Sequence, residues 1–283
     1  MNAFINLFKI RIGAAIAVAA AAGLAVEEGR KIDIVAGSVL VLSVLVASAA
    51  AGAFNQYVER DLDVKMTRTR NRPFVTGALR HRPFWLWVIG FMLAAAVLAT
   101  ILSSNAIAGT YVFLGAFTYG VVYTVWLKRR TWWNIVVGGL AGSFAVLAGA
   151  AAVSPHPGPE ALVLAVVLFL WTPPHFWSLA IACRADYAAA GVPMLPVVVG
   201  DARAARAIFA SAALLVTASF VPVLFSLGVV YFAAALAGGL FFLLRCRALV
   251  QRPGREAARA AFLASLVQLS AVLFGAMADV ALS

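Results

Sequence analysis

Apolar segments of about 20 residues recur along the whole chain, and each is long enough to cross the hydrocarbon core of a membrane as a helix. Only 12% of the 283 residues are charged. The segments lack the period-two alternation of barrel strands. The sequence therefore predicts an all-α, polytopic membrane protein with about nine transmembrane helices. The predicted spans are 10–27, 34–60, 84–103, 105–127, 132–153, 160–183, 205–226, 228–246 and 258–281.

The links between the spans contain no polar stretch of domain size, so we expect residues 1–283 to form a single membrane domain. With a cytoplasmic N-terminus and alternating helices, all of the 22 Lys and Arg residues except Arg30 and Lys31 lie on the cytoplasmic side. Cytoplasmic loops of membrane proteins are enriched in these residues. This bias supports nine spans. It also explains the net charge of +11, which requires no nucleic-acid partner.

A line of polar side chains ends the second span. Asn55, Glu59 and Asp63 are spaced i, i+4 and i+8, so on a helix they share one stripe. Their oxygens suit a hard cation such as Mg²⁺, which usually keeps several waters and shares substrate phosphates. Polar groups at membrane depth are costly and usually functional. The stripe therefore predicts a metal site at the cytoplasmic end of the helix.

Asp61 lies off this stripe, and two interpretations stay open for it. It pairs with Lys65 at i+4, or it turns inward and binds metal if the helix unwinds near residue 60. The basic residues from Lys65 to Arg72 follow directly. Carboxylates that hold Mg²⁺ beside guanidinium groups would bind a diphosphate and stabilise it as a leaving group.

A second group of chemically active residues surrounds the sixth span. Pro173 and Pro174 remove two backbone donors and predict a kink, with His175 just beyond them among large aromatic residues. Asp186 follows near the cytoplasmic end, and we expect it to complete a second metal site or to pair with Arg184. The basic patch at 128–130 is a membrane anchor that could also contact anionic substrate groups.

The segment Asn-x-x-x-Glu-x-Asp-x-Asp-x-Lys-Met-x-Arg-Thr-x-Asn-Arg-Pro, from Asn55 to Pro73, closely resembles the signature of the protohaem IX farnesyltransferase branch of the UbiA-type intramembrane prenyltransferases. The segments Tyr119–Arg130, Phe169–Trp177 and Asp186–Pro196 resemble further motifs of that family. Together these matches run from about residue 55 to residue 200, in the same order.

The resemblance implies nine helices around a central cavity, with farnesyl diphosphate as donor, haem b as acceptor and Mg²⁺ as cofactor. It implies that the enzyme alkylates a haem vinyl group and yields haem O at the cytoplasmic face of the cell inner membrane. We also expect contact with membrane lipid and association with downstream haem-modifying or oxidase-assembly membrane proteins.

By the same resemblance, the catalytic residues are Asn55, Glu59 and Asp63 of the first motif and Asp186 of the second, and these four are metal ligands. Asp61 is a fifth candidate metal ligand under the second interpretation given above. Candidates for the diphosphate oxygens are Lys65, Arg68 and Arg72. Apart from the resemblance, we expect His175 to be a candidate contact to the haem iron or a propionate. The remaining candidate substrate contacts are Lys128, Arg129, Arg184 and Tyr187.

Two other functions fit the same sequence. One is prenyl transfer to an aromatic quinone precursor, although Asp186 stands without a second aspartate nearby, which favours the haem branch. The other is a transporter or a haem-binding subunit whose acidic residues relay protons or ions. The chain shows no clear internal repeat, and its acidic residues cluster at the cytoplasmic helix ends, which suits a diphosphate head whose tail enters lipid.

Overall fold

A segment that lies in hydrocarbon must satisfy its own backbone hydrogen bonds, and an α-helix does so within the segment. The computed structural model describes residues 2–27 and 33–283, and within them it contains helices and no strands. The two basic residues predicted on the outer side, Arg30 and Lys31, lie outside the described residues. The apolar helices among the described residues are α1 (Ile10–Ala25), α2 (Ile34–Val58), α3 (Phe84–Ser103), α4 (Ala106–Leu127), α5 (Asn134–Val153), α6 (Pro159–Ala182), α7 (Asp201–Leu224), α8 (Val229–Gln251) and α9 (Arg255–Leu282).

Helices α2 to α9 are each long and apolar enough to span a membrane, and α1 is a shorter apolar helix of 16 residues. The predicted all-helical, multi-pass fold is therefore confirmed, and α3 begins and ends at the residues predicted. The larger differences lie at α7 and α8. Helix α7 begins at Asp201, four residues before the prediction, and α8 continues to Gln251, five residues beyond it.

Successive helices pack side by side from α1 to α9, and α9 returns to contact both α1 and α6. Small residues allow the closest of these contacts, between α1 and α5. A Cβ atom added to Gly23 would collide with the backbone of Val146, and one added to Gly149 would collide with the carbonyl oxygen of Ala20. Small residues of this kind let membrane helices approach closely, where van der Waals packing holds them together.

Helix α6 continues through both prolines without interruption. Pro173 and Pro174 are buried inside the helix Pro159–Ala182. Nearby hydroxyl groups bond to backbone carbonyls of the helix, from Thr172 Oγ1 to Leu168 O at 3.0 Å and from Ser178 Oγ to Pro174 O at 2.6 Å. These two bonds add to the backbone bonds of the helix on either side of the prolines, whereas the carbonyls that lose their usual N–H donor are those of Phe169 and Leu170.

The two long loops meet at one end of the helix bundle. The first, between α2 and α3, contains the short helices Arg60–Asp63 and Pro73–Thr76. The second, between α6 and α7, contains Arg184–Ala189 and Leu195–Val199. Hydrogen bonds from the backbone of the first loop to Asp186 of the second join them. The polar residues that follow α2 and those that follow α6 are therefore neighbours.

The contact between α1 and α5 gives a test of the packing. We expect Gly149→Ala to destabilise the protein by about 1–3 kcal/mol, because the added methyl group overlaps backbone rather than a side chain that could move. The matched control is Gly90→Ala on α3, where an added Cβ meets nothing within 4 Å. Thermal unfolding in detergent would compare the two variants, and equal midpoints would contradict the close approach.

Candidate functional site

The end of α2 places three oxygen-bearing side chains along one buried line. Helix α2 ends at Val58, Glu59 has φ −93° and ψ 13°, and a short helix continues from Arg60 to Asp63. Backbone hydrogen bonds from Glu59 to Asn55 (3.0 Å) and from Asp63 to Glu59 (2.9 Å) carry the i, i+4 spacing through this junction. The side chains of Asn55, Glu59 and Asp63 are all buried.

Each of the two carboxylates pairs with a cation from another part of the chain. Lys128 Nζ, just after α4, lies 2.5 Å from Glu59 Oε2. Arg72 Nη1 donates to both oxygens of Asp63, at 2.8 and 2.7 Å. An unpaired charge at such depth would cost several kcal/mol. The second oxygen of Glu59, Oε1, is buried and has no hydrogen-bond partner among the described residues, so it remains available to a ligand.

A stretch of π-helix sets the position of Lys128. The last ten residues of α4, Thr118–Leu127, wind as a π-helix, and the backbone bond from Lys128 N to Tyr123 O spans five residues. The same stretch presents Thr124, whose hydroxyl accepts a hydrogen bond of 3.1 Å from Asn55 Nδ2. Such wide turns frequently occur at functional sites.

Lys9 is also a site residue. From the sequence it is only one of the Lys and Arg residues predicted on the cytoplasmic side. Its ammonium donates to Asn55 Oδ1 at 2.7 Å and to the Tyr119 hydroxyl at 3.0 Å. Its backbone φ of 48° is the one positive value at a non-glycine residue in the described ranges. A left-handed conformation costs such a residue about 1–2 kcal/mol. The sequence held no signal for this role, because a lysine before a membrane helix is what the positive-inside rule predicts.

Burial shifts the pKa values of charged groups in the site. Burial raises the pKa of Asp63, and the adjacent Arg72 guanidinium opposes this rise. Burial also lowers the pKa of Lys9, and Arg72 adds to this effect while Glu59 opposes it. An anionic ligand between these cations would favour their charged forms. The site is thus suited to take up negative charge.

Asp61 lies outside the buried line, and neither open interpretation describes its contacts. Its two carboxylate oxygens accept hydrogen bonds of 2.8 Å from Arg129, and both side chains are exposed. These bonds lower the pKa of Asp61. The predicted partner Lys65 is exposed and makes no such pair with it within the described residues. The helix is interrupted at Glu59, but Asp61 does not point toward the buried line. It pairs with Arg129 at the exposed surface of the protein.

Asp186 contacts backbone rather than the buried carboxylates. Its Oδ1 accepts a hydrogen bond from Thr67 N and its Oδ2 accepts one from Arg68 N, both at 3.2 Å. The next residue, Tyr187, is buried, and its hydroxyl lies 3.2 Å from Arg68 Nη2. The alternative partner that we considered for Asp186 is engaged elsewhere, since Arg184 pairs with Asp201 at 3.4 Å.

His175 is held between two aromatic rings within the helix bundle. Trp171 stacks on one side at 4.0 Å between ring centroids, and Phe262 of α9 stacks at 4.4 Å. Nδ1 lies 2.7 Å from the Ser265 hydroxyl, which itself donates to Phe262 O at 2.6 Å. The contact between Nδ1 and Ser265 fixes the orientation of the ring, and Nε2 is the ring nitrogen that Ser265 does not engage.

An apolar cavity begins beside the polar line and runs into the bundle. It lies among α1, α2, α4 and α5 and has a volume of about 80 Å³. Its lining on α2 extends from Gly52 back to Val44, which is about 12 Å along the helix axis. Lys9 and Tyr119 line it at the end near Asn55, and the remaining lining residues are mostly small or aliphatic.

The buried line fits a hard divalent cation that is shared with a ligand. Asn55, Glu59 and Asp63 offer one amide and two carboxylate groups, and Glu59 Oε1 has no partner within the protein. In the described part of the chain, no group of three or more His, Cys, Asp or Glu side chains forms a complete cage. Mg²⁺ typically binds one or two carboxylates and takes its other ligands from water and phosphate. The arrangement therefore suits a polar, anionic head whose apolar tail enters the cavity.

Comparison with known sequences agrees with this geometry. Residues 16–267 match the model of the UbiA prenyltransferase family. A protein of Paramagnetospirillum magneticum named protoheme IX farnesyltransferase 2 is 54% identical over 275 residues, which cover 97% of this chain and 95% of that protein. Protoheme IX farnesyltransferase 1 of the same organism is 45% identical over 278 residues, which cover 98% of this chain and 97% of that protein.

Solved structures share the fold at low sequence identity. A structure described as digeranylgeranylglyceryl phosphate synthase matches with a TM-score of 0.80 at 15% identity, covering 99% of this chain and 98% of that one. A UbiA homologue from Archaeoglobus fulgidus, bound to DMAPP and Mg²⁺, matches with a TM-score of 0.76 at 16% identity, covering 95% of this chain and 99% of that one. These likenesses show the fold.

The position of Lys9 can be tested without any assumption about the reaction. We expect Lys9→Met to weaken binding of Mg²⁺ with inorganic pyrophosphate roughly tenfold, because the variant loses a cation that lies beside the anion site. Titration calorimetry of the purified protein would measure it. The control is Arg11→Met, which removes an exposed cation two residues away. Equal losses in the two variants would mean that Lys9 acts only through the overall charge.

Proposed function

Because the chain belongs to the UbiA prenyltransferase family, we propose that it transfers a farnesyl group from farnesyl diphosphate to a vinyl group of haem b (protohaem IX). The products are haem O and diphosphate. One observation carries the proposal from the structure: a buried line of oxygen ligands, paired with cations, stands at the polar end of an apolar cavity. A prenyl diphosphate has this same division into a charged head and an apolar tail.

The head of the donor binds at the line formed by Asn55, Glu59 and Asp63. These residues would hold Mg²⁺, which, when bound, neutralises the diphosphate and makes it a better leaving group. The relatives support this choice, because the A. fulgidus homologue was solved with DMAPP and Mg²⁺. Asn55 keeps its orientation because Thr124 and Lys9 hold its two ends.

The cations of the site have two partners available to them. Lys128 and Arg72 pair with Glu59 and Asp63 in the protein alone. Phosphate oxygens are equally good acceptors for the same donors. Lys9, Lys128 and Arg72 therefore stabilise the negative charge that develops on the diphosphate as the bond to the farnesyl group breaks. Lys65 and Arg68 lie in the same loop, before Arg72, and remain candidates for additional phosphate contacts.

The reaction breaks the bond between C1 of farnesyl diphosphate and its oxygen, and the electron pair leaves with the diphosphate. The vinyl group of haem b attacks the allylic cation at C1 and forms a carbon–carbon bond. The positive charge then lies beside the porphyrin ring, where water adds and releases a proton. The apolar cavity shields the cation from water before the attack.

The haem side of the site involves other elements. His175 on α6 is oriented by the contact between Nδ1 and Ser265, and Nε2 is its other ring nitrogen. That nitrogen is suited to contact the haem iron, and the propionates require cationic donors, for which Arg184 and Arg129 remain candidates. Tyr187 is buried beside Arg68 and could position it. We further propose that haem-modifying or oxidase-assembly membrane proteins receive the product.

The proposed location is the cell inner membrane, with the active site facing the cytoplasm. The charge distribution along the sequence supports this orientation, because the loop after α2 and the link after α4, which both carry site residues, are rich in Lys and Arg. Farnesyl diphosphate is water-soluble at its head and apolar in its tail, so a site at the cytoplasmic membrane surface can receive it directly.

The reaction itself is the main test. Membranes that contain the protein should convert haem b to haem O when supplied with farnesyl diphosphate and Mg²⁺, and mass spectrometry of extracted haems would detect the product. Membranes without the protein, and reactions with EDTA, should give none. Product with 4-hydroxybenzoate but not with haem b would mean that the acceptor is a quinone precursor and not haem b. No release of pyrophosphate with any acceptor would favour the transporter or haem-binding alternative.

The carboxylates should differ in importance according to their burial. We expect Asp63→Ala to lose activity by a factor of 100 or more (about 3 kcal/mol), because it removes a ligand oxygen and leaves Arg72 unpaired. Asp61→Ala removes a carboxylate two residues away that is exposed and paired with Arg129, so its effect should be much smaller. Steady-state rates of membrane-inserted protein would compare them. A larger loss for Asp61→Ala than for Asp63→Ala would mean that the metal binds at the exposed Asp61 rather than at the buried line.

A further inference from the structure

We infer that Gln56 is a positioning residue: its buried amide anchors the carboxyl end of the N-terminal helix, Asn2–Leu7, and so directs the Lys9 ammonium into the anion site. The identity of the anion, a diphosphate, rests on the proposed function. Gln56 directly follows Asn55 of the metal-binding line, and the sequence alone indicated no role for it.

Gln56 holds two consecutive backbone carbonyls. Its Nε2 donates to Asn6 O at 2.7 Å and to Leu7 O at 3.2 Å, and the residue is only 1% exposed. An amide NH₂ group has two protons, so one proton serves each carbonyl. The last carbonyls of a helix lack donors within that helix. Gln56 therefore supplies, from α2, donors that the end of the N-terminal helix needs.

The chain turns sharply just after these carbonyls. Lys9 has φ 48° and ψ 42°, a left-handed conformation that is unfavourable for a residue with a Cβ atom. Such a conformation persists only where the surrounding structure holds it. On one side of the turn Gln56 fixes the two carbonyls of the N-terminal helix. On the other side Lys9 O accepts the N–H groups of Ile12 and Gly13, at 2.9 and 3.0 Å.

Three residues of α2 form the surface on which Lys9 lies. Gly52, Asn55 and Gln56 are spaced i, i+3 and i+4, so they share one face of the helix. A Cβ atom added to Gly52 would lie 3.3 Å from Lys9 Cδ, so the aliphatic part of the lysine crosses α2 there. Asn55 Oδ1 accepts a hydrogen bond of 2.7 Å from the ammonium. Gln56 thus holds the backbone before Lys9, and Asn55 receives its charged end.

The N-terminal helix has a second attachment, which makes the role of Gln56 testable. Leu7 is fully buried in an apolar cluster that includes Ala50, Ala53 and Phe74. Apolar contacts of this kind are not directional, whereas the two hydrogen bonds from Gln56 fix the orientation of the end of the helix. Loss of these bonds should therefore leave the helix attached and let Lys9 move away from its position beside Asn55.

A double-mutant cycle tests whether Gln56 acts through Lys9. Gln56→Met removes both donors and keeps an unbranched side chain of similar length, and Lys9→Met removes the cation. The probe is Mg²⁺ with inorganic pyrophosphate, measured by calorimetry on the full-length protein for both single variants and the double variant. The matched control is Gln268→Met on α9, because Gln268 is also fully buried and its amide donates to Ser219 Oγ at 3.3 Å.

We expect Gln56→Met to weaken pyrophosphate binding roughly fivefold in the wild-type background, because the Lys9 ammonium then lacks a fixed position. In the Lys9→Met background the same substitution should change the affinity by less than about twofold. Gln268→Met should leave the affinity within about twofold in both backgrounds. An equal loss from Gln56→Met in both backgrounds, or no loss in either, would mean that Gln56 does not act through Lys9.

If Gln56→Met is not monodisperse, Gln56→Asn takes its place in the same cycle. Asparagine keeps a buried amide but is one methylene shorter, so it cannot make both hydrogen bonds from the same backbone position, and the same dependence on Lys9 is expected. Hydrogen exchange at residues 2–9, followed by mass spectrometry without any ligand, should be faster in the Gln56 variants than in Gln268→Met. Unchanged exchange would contradict the anchor, whereas failure of the wild-type protein to bind Mg²⁺ with pyrophosphate would count against the proposed function.

Discussion

Two carboxylates buried at the end of an apolar helix are the constraint on which the rest of the site depends. Glu59 and Asp63 are almost inaccessible, and charges at such depth must be paired. The partners come from different elements, Lys128 from the end of α4 and Arg72 from the loop that follows α2. The two ion pairs therefore couple the packing of α2 and α4 to the closure of the loop, so that the site is assembled before any ligand binds.

This pairing also determines how a ligand can bind. A metal ion alone would have to compete with Lys128 and Arg72 for the carboxylates, and a diphosphate alone would meet those carboxylates at close range. When both bind together, the carboxylates can turn to the metal and the cations to the phosphates, so that each charge exchanges one partner for another. Little reorganisation is then needed as charge develops on the leaving group, which is how preorganised sites lower a barrier.

The sequence was sufficient to predict features within a single helix. It was insufficient to predict contacts between residues that are far apart in the chain. Apolar length located α3 to the residue, and i, i+4 spacing placed Asn55, Glu59 and Asp63 on one line, because both rules act within a single helix. The contacts of Asp61 show the limit of such local rules. The sequence left open a pair with Lys65 at i+4 or a turn inward to the metal, but Arg129 reaches Asp61 from a loop that follows another helix.

Lys9 shows a different limit of the sequence. Its side chain reaches from the start of α1 to Asn55 and Tyr119. In the sequence it cannot be distinguished from any other lysine that flanks a membrane helix. The left-handed backbone that directs it there has no signature in residue type, since such conformations favour glycine or asparagine. Only the packing of α1 against α2 identifies Lys9 as a residue of the site.

The proposed reaction would separate the two substrates along the fold. The donor head would lie on α2 and its tail in the cavity among α1, α2, α4 and α5, which would hold the reactive carbon near Lys9 and Tyr119. An acceptor must approach that junction from the side that the donor leaves open. Helices α6 and α9 are not part of the tail cavity, and they carry His175 and Ser265. Acceptor choice can therefore change through α6 and α9 while the diphosphate chemistry on α2 stays the same, which is how one fold can host different reactions.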